Sequence, residues 1–280
     1  MTRMIDLHVH TSASDGTYSP SGVVALANKA GLAAMAVTDH DTVDGVAEAQ
    51  AAAEGTGLEL VPGIEISVGD TDDVHIIGLY VNIKDSGFVS VMERLKQNRT
   101  DRNCEIFKKI RSLGFDVSYE EAESVMDTGN MGRLHIAGYL HRKGIVRDYR
   151  KAFKNFLVPG AAAYVPMQHL SEKEGIEAIL NSGGLPFLAH INYLKMSDDG
   201  VEETVKRLMG YGLAGIEAYY SGYNADDERL AGMLCEKYSL LKSGGTDFHG
   251  ARRRGVYLGT GRGNMCIKYE VLSAIKEKLR

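Results

Sequence analysis

Short apolar runs alternate with amphipathic stretches along most of this chain. Residues 34–38, 58–61, 64–68, 74–80, 185–189 and 214–218 are strand-length apolar runs, the second and third separated by Pro62-Gly63. Runs of that length with little internal alternation suit strands buried on both faces. Residues 6–10 read as a short mixed strand, and 239–242 as a last one. Helical patterns lie between them. Ser19-Pro20 opens one as N-cap and N1 proline, Val23, Val24, Leu26, Ala27 and Ala30 recur at helical spacing, and Gly31 stands at C′. Others cover roughly 43–54, 201–209, 226–238 and 271–278, and Ser171 with Glu174 forms a capping box for a helix to Asn181. About seven βα units predict a parallel sheet covered by helices.

The middle breaks this rhythm. From about 97 to 165 helical patterns appear without a convincing strand: 91–113, a capping box at Ser118 and Glu121, 134–142, and a short one at 151–156. The expected organisation is a barrel from residues 1–97 and 166–280 with a helical insertion, 98–165, acting as a lid over its mouth.

Composition narrows the function classes. With 280 residues the chain can bury a large core, and its net charge of −5 argues against a surface built throughout for nucleic-acid backbone. No apolar run approaches the ~20 residues of a membrane span, and the N-terminal residues lack the pattern of a secretory signal. Cys104, Cys235 and Cys266 show no CxxC spacing, which speaks for a reducing cytoplasm and against a disulfide framework or a thiolate metal site.

The polar residues at predicted strand ends carry the chemistry. His8 and His10 share one face of the first strand, since side chains at i and i+2 do. Asp15 follows in a turn-rich run, His40 ends the second strand, Glu65 and His75 lie in the next two, and His190, Asp247 and His249 end later ones. Six of the nine histidines are in this set, and packing alone does not explain so many imidazoles at corresponding positions, because each buried ring needs polar partners. Nine N and O donors exceed one cation's needs and suit two or three divalent metals, with Glu65 as a bridge; Mn²⁺, Fe²⁺ and Zn²⁺ all accept such donors. Barrels and open α/β sheets both place active sites at this strand edge, and convergence from so many strands favours a closed barrel. Metals in excess of three carboxylates favour an anionic substrate such as a phosphate ester, although an amide could be attacked at the same centre.

The insertion offers anion contacts. Arg99 and Arg102 are one helical turn apart, and Arg133 and His135 open a later helix, where free N–H groups favour anions. Asn98 and Lys195 are weaker candidates, and His141 and His169 read as structural or exposed.

His8-x-His10, Thr38-Asp39-His40-Asp41, His190 and Asp247-Phe248-His249 together resemble the four motifs of the PHP (polymerase and histidinol phosphatase) family. The resemblance covers most of the chain outside the insertion. It implies a distorted (β/α)7 barrel with a trinuclear metal centre. Within the family the chain is similar to 3′,5′-nucleoside bisphosphate phosphatases and their exoribonuclease relatives. Asp15 matches that subgroup, and Asn98–Arg102 and Gly132–His135 resemble its substrate-phosphate contacts. The resemblance implies one metal on His8, His10, Glu65 and Asp247, a second on Asp15, His40 and His249, and a third on Glu65, His75 and His190. One departure stands out: the subgroup follows this histidine with Pro and a Gly-Arg-Tyr-like run, whereas here it is Ile191-Asn192-Tyr193-Leu194-Lys195, with Tyr193 and Lys195 as replacement contacts.

The expected function is a cytoplasmic metal-dependent phosphoesterase with three divalent metals, Mn²⁺ first. Its substrate would be a small nucleotide, the 3′-phosphate of a nucleoside 3′,5′-bisphosphate being cleaved by a metal-bridged hydroxide. Arg99, Arg102, Arg133 and His135 would hold substrate phosphates. The alternatives are a 5′→3′ exoribonuclease on short RNA, a histidinol-phosphate phosphatase, and a non-catalytic metal-binding module. No membrane and no obligate protein partner is expected.

Overall fold

The apolar run that follows Gly31 folds as a strand with both faces covered. Ala34 and Ala36 join one buried cluster with Ile5, Leu7 and Ile77, while Met35 and Val37 join another with Val23, Val24 and Val46. That split explains the run: every second residue meets a different core, so no position is left for a polar side chain. A computed structural model describes residues 3–70, 73–126 and 130–280. The chain divides into two compact units, Met1–Met92 with Leu170–Arg280, and Glu93–His169.

In the first unit the elements run β1 (Met4–Asp6), α1 (Pro20–Ala30), β2 (Leu32–Val37), α2 (Val46–Ala53), β3 (Glu59–Val68) and β4 (Val74–Leu79). Then comes α3 (Ser86–Ser112), which carries the chain into the second unit, where α4 (Tyr119–Met126), α5 (Arg133–Arg142) and α6 (Tyr149–Ala152) follow. The first unit resumes with α7 (Glu172–Asn181), β5 (Leu185–Leu188), α8 (Asp198–Met209), β6 (Gly215–Tyr220), α9 (Ala225–Tyr238), β7 (Leu241–Gly245) and α10 (Tyr269–Lys278). The strands lie in sequential order in one seven-stranded sheet. Leu7 N–H donates to the Gly244 carbonyl at 3.1 Å and Asp247 N–H to the His8 carbonyl at 2.8 Å, so the first and last strands meet and the sheet curls into a distorted (β/α)7 barrel. No described helix is long and apolar enough to cross a membrane.

Three local expectations are corrected. The sheet is not wholly parallel, because β4 runs antiparallel to both β3 and β5. Only residues 69–73 separate β3 from β4, too few for the crossover helix that a parallel pair needs. Pro62-Gly63 does not end a strand. Residues 59–62 of β3 pair with β2 and residues 63–68 with β4, so the missing proline N–H falls where the strand changes partner. The histidines lie just beyond β1, which ends at Asp6. The chain from Leu7 onward stays extended and is pinned on both sides, Val9 O accepting from Thr38 N at 2.9 Å and His10 N donating to Phe248 O at 2.9 Å.

The final strand is shifted relative to the pattern, ending at Gly245 instead of Lys242. It needs glycine there: a Cβ on Gly245 would lie 2.3 Å from the His8 nitrogen. The second unit has its own core, with Ile106, Phe107, Ile110, Ile136, Tyr139 and Leu140 among its buried residues. Asn103 and Lys109 of α3 donate to the Met131 and Tyr164 carbonyls at 2.8 and 2.9 Å, tying irregular segments to the helix.

Candidate metal centre

The strand ends bring the nine predicted donors into one mesh. Glu65 is its hub. Its Oε2 lies 3.4, 3.3 and 3.0 Å from ring nitrogens of His8, His10 and His40, and its Oε1 lies 2.8 Å from His75 Nδ1 and from His190 Nε2. One carboxylate thus faces five imidazoles. Asp247 Oδ1 faces His8, His10 and His249 at 3.5, 3.2 and 3.2 Å. Asp15 Oδ1 faces His249, His10 and His40 at 3.1, 3.8 and 4.0 Å.

Divalent cations fit this donor set. His8 Nε2 and His10 Nε2 approach to 3.1 Å and both face Glu65 Oε2. A cation with bonds of about 2.1 Å spaces neighbouring donors about 3.0–3.4 Å apart at tetrahedral or octahedral angles. Among the described residues four overlapping groups are close enough to share an ion: His10 with Asp15, His40 and His249; His8 with His10 and Glu65; His8 with His190 and Asp247; and His40 with Glu65 and His75. Several donors are poorly satisfied: His10 Nδ1 and His190 Nδ1 are buried without a hydrogen-bond partner, and Asp15 Oδ1 and Glu65 Oε2 meet ring nitrogens only outside hydrogen-bond geometry. A native interior seldom leaves four such atoms together unless something else satisfies them.

The electrostatics say the same. Burial opposes charge on these groups, and at His190 it wins and lowers the pKa, but at His8, His40, His249, Asp15, Glu65 and Asp247 mutual attraction outweighs it. Glu217, Glu65 and Asp247 hold the His8 pKa well above its usual value, and Glu65 with Asp15 raises His40 to about 10. The imidazoles in turn hold Asp15, Glu65 and Asp247 below the ordinary carboxylate range. Without metal, protons on imidazole do the neutralising that a cation would do.

Backbone conformation aims these groups. Asp41, His190 and Asp247 all have positive φ, at 53, 23 and 54°. Such strain in a non-glycine residue persists only where the surroundings fix it. Asp41 N donates to Glu65 O at 2.8 Å, His190 N to Glu217 Oε2 at 2.8 Å, and Asp247 N to His8 O.

Sequence reasoning missed the supporting shell. Glu217 of β6, fully buried, lies 2.8 Å from His8 Nδ1, which keeps a proton on Nδ1 and leaves Nε2 as the atom that faces the mesh and would ligate a cation. The signal was present, since an acid in the apolar strand Gly-Ile-Glu-Ala-Tyr-Tyr needs a partner. Asp39 receives Thr11 N and Oγ1 at 2.7 Å each and Ser14 Oγ at 2.5 Å, holding the turn that leads to Asp15. Asp6 receives Thr246 Oγ1, Thr246 N and Gly259 N at 2.6, 2.9 and 2.8 Å; burial pushes its pKa to about 6 despite them. Arg253 bonds to Asp247 Oδ2, a contact hidden in the run Arg252-Arg253-Arg254, which reads as solvated surface.

The predicted phosphate contacts lie in the second unit. Arg99 and Arg102 are on α3, and Arg133 and His135 on the first turn of α5. Arg99 Nη1 lies 3.9 Å and His135 Nδ1 3.8 Å from where a Cβ on Gly132, the N-cap of α5, would stand, so the structure brings these two side chains together at a helix N-terminus. Arg102 is buried, with Nε donating to the Val165 carbonyl at 3.2 Å. Asn98 donates to the Gln168 carbonyl at 3.1 Å. His141 Nδ1 is 3.1 Å from the Val146 carbonyl, and His169 is the last residue of this unit. Lys195 pairs with Asp73 at 2.8 Å on the surface. Tyr193 packs its ring 4.5 Å from that of His190.

Comparison with known proteins completes the picture. A family description, "PHP domain", matches residues 6–214. The chain is 32% identical over 250 residues to a 5′-3′ exoribonuclease of Haemophilus influenzae, across 89% of this chain and 91% of that protein. It is 30% identical over 247 residues to a 3′,5′-nucleoside bisphosphate phosphatase of Chromobacterium violaceum, across 88% and 87%. The structure of a candidate metal-dependent phosphoesterase from Bifidobacterium adolescentis superposes with a TM-score of 0.84 at 27% identity, covering 98% of this chain and 95% of that one.

Proposed function

The chain belongs to the PHP family, and from that membership and the geometry of the barrel mouth we propose a specific activity: removal of the 3′-phosphate from nucleoside 3′,5′-bisphosphates. The broader class is a metal-dependent phosphoesterase. The observation that carries the reading is Glu65, one carboxylate shared among five imidazoles within a nine-donor mesh. In the proposal His8, His10, Glu65 and Asp247 hold one cation, Asp15, His40 and His249 a second, and Glu65, His75 and His190 a third, with Mn²⁺ as the first ion to supply. Divalent cations there supply the Lewis acidity that makes water a nucleophile at neutral pH and offsets charge on a phosphoryl group.

The chain's own residues do the rest. Glu217 keeps the His8 proton on Nδ1, and Glu65 keeps His75 and His190 aimed inward. The approach of both Arg99 and His135 to Gly132 supports a phosphate-binding role for them, with Arg102 and Arg133 as further cations on α3 and α5. Holding a second phosphate positions the substrate and lowers the entropic part of the barrier. Three free cysteines suit a reducing cytoplasm, which is the proposed setting.

A second reading is a 5′→3′ exoribonuclease. The exoribonuclease relative supports it, and so does charge: residues 93–169 hold fourteen Lys and Arg against nine Asp and Glu, although the whole chain is acidic. A basic unit suits a polyanion as well as a bisphosphate. The test is phosphate release from adenosine 3′,5′-bisphosphate with Mn²⁺, beside 5′-AMP, histidinol phosphate and a short 5′-phosphorylated RNA. Turnover of the bisphosphate far above the others is the expected result. Faster cleavage of RNA makes the nuclease reading the correct one, and no turnover with Mn²⁺, Fe²⁺ or Zn²⁺ refutes both.

A further inference from the structure

We propose that Arg253 is the barrel's own phosphate-positioning residue, leaving Asp247 to grip the substrate's phosphoryl oxygens when the centre is loaded; this rests on the phosphoesterase reading. Arg253 follows the 3-10 turn Gly250–Arg252, directly after the Asp247-Phe248-His249 stretch. Its Nη1 contacts Asp247 Oδ2 and, at 3.2 Å, the Asp247 carbonyl. Its Nη2 contacts Tyr220 Oη at 2.5 Å and Tyr193 Oη at 3.2 Å. Tyr220 also donates to Asp247 Oδ2 at 3.0 Å.

Asp247 therefore divides its two oxygens. Oδ1 faces His8, His10 and His249, whereas Oδ2 faces Arg253 and Tyr220. A guanidinium thus stands one carboxylate away from the donor mesh. In the metal-free arrangement that carboxylate is shared between Arg253 and the imidazoles. Cations among the donors would compete for the same single negative charge, and a permanently charged arginine cannot respond by losing its proton. The missing charge has to come from another anion. A phosphoryl group is the anion that such a centre attracts, and an arginine fork matches two of its oxygens.

The surroundings allow the exchange. The Arg253 side chain is 19% exposed and Tyr193 is 40% exposed, so this flank opens to solvent. Tyr193 and Tyr220 flank the guanidinium with hydroxyls, which keep hydrogen-bonding it as its acidic partner changes. Arg252, by contrast, is bound to the Asp15 carbonyl at 2.7 Å, a contact that holds backbone and leaves no carboxylate to exchange.

The test compares wild type, Arg253→Met and Arg253→Lys, each loaded with Mn²⁺. Metal content is measured by mass spectrometry and inorganic phosphate binding by calorimetry, alongside kcat and KM. The expected result for Arg253→Met is unchanged metal content, with phosphate affinity weakened and KM raised, each by about tenfold or more, and a smaller change in kcat. Arg253→Lys, which keeps charge but loses the fork, falls between. Loss of metal from both variants, or phosphate binding equal to wild type, overturns the proposal and leaves Arg253 as a support for Asp247. If wild type turns over no phosphoester, the phosphoesterase reading fails on its own. Calorimetry then still decides for Arg253, and absence of phosphate binding to wild type also overturns its role.

Discussion

Glu217 and His8 are joined through a buried bond of 2.8 Å between Oε1 and Nδ1, and the other oxygen of Glu217 receives the backbone N–H of His190. One carboxylate on β6 thus orients a ring beyond β1 and fixes the strained turn after β5. Replacing it with glutamine keeps the shape but lets the amide present N–H to His8, which disfavours the tautomer with a free Nε2. Partners of this kind are typically worth about 10–100-fold in metal affinity. Glu217→Gln should show that loss in chelator-competition titrations while keeping its circular dichroism. Affinity equal to wild type would remove Glu217 from the site.

Glu65 tests the mesh itself. Glu65→Ala removes the acceptor that five imidazoles face. Bound metal should fall by at least one equivalent per chain and activity by about 100-fold or more. Elemental analysis after gel filtration reads the first, and a phosphate-release assay the second. Full metal content in the variant would show that Glu65 bridges nothing.

The metal-free and loaded proteins should respond to pH in opposite senses. In the metal-free mesh the His40 pKa is raised to about 10, so the stability it contributes is present below its ordinary value and is lost as pH rises toward 10. The lowered carboxylates contribute above their own ordinary values, so they do not offset this loss. Chelated protein should therefore melt at a lower temperature at pH 9 than at pH 7. Metal binding displaces those same protons, so affinity for Mn²⁺ should rise over that interval. Thermal melts with and without chelator check both, and a chelated protein more stable at pH 9 would contradict the charge arrangement.

Much of this site was legible because its residue types are costly to place anywhere else. Six imidazoles and three carboxylates at strand ends have few structural uses, and the structure brings all nine together. Glu217 escaped because a single acid in an apolar strand carries no label for its partner, which lies 209 residues away. Arg253 was masked by neighbouring arginines in a run that looks like solvent-facing charge. The direction of β4 was not readable from its apolar pattern, since parallel and antiparallel buried strands share that pattern. The short connection after β3 was the available signal. Pro62-Gly63 misled in the other direction, because a proline marks a strand's end only where its N–H would have met a partner.

Glycine 245 links the fold to the chemistry. A methyl there would lie 2.4 Å from His8 Cβ, with backbone behind it and no flexible side chain to yield. Gly245→Ala should cost about 1–3 kcal/mol of stability and displace His8, lowering metal affinity as well. Gly232, inside α9, has nothing within 4 Å of its virtual Cβ, so Gly232→Ala should stabilise by about 0.5–1 kcal/mol. Urea denaturation of the two variants gives the comparison, and equal effects would show that Gly245 is not closely packed.

The substrate question turns on the helical unit. If Arg99 holds the phosphate that is not cleaved, it contributes nothing to a substrate carrying only one. Arg99→Ala should then raise KM for adenosine 3′,5′-bisphosphate by about tenfold or more, in line with loss of a charge-assisted fork to phosphate. Hydrolysis of an aryl phosphate, which carries no second phosphate, should stay within about twofold of wild type. Arg133→Ala should behave in the same way, since it lies on the first turn of the helix whose N-cap, Gly132, Arg99 approaches. A loss shared equally between the two substrates would mean that these arginines act on the fold of the helical unit. Thermal melts of the variants would then show the same loss as a lowered midpoint. A loss confined to RNA would assign them to guiding a strand, with the bisphosphate as a by-product of the same chemistry.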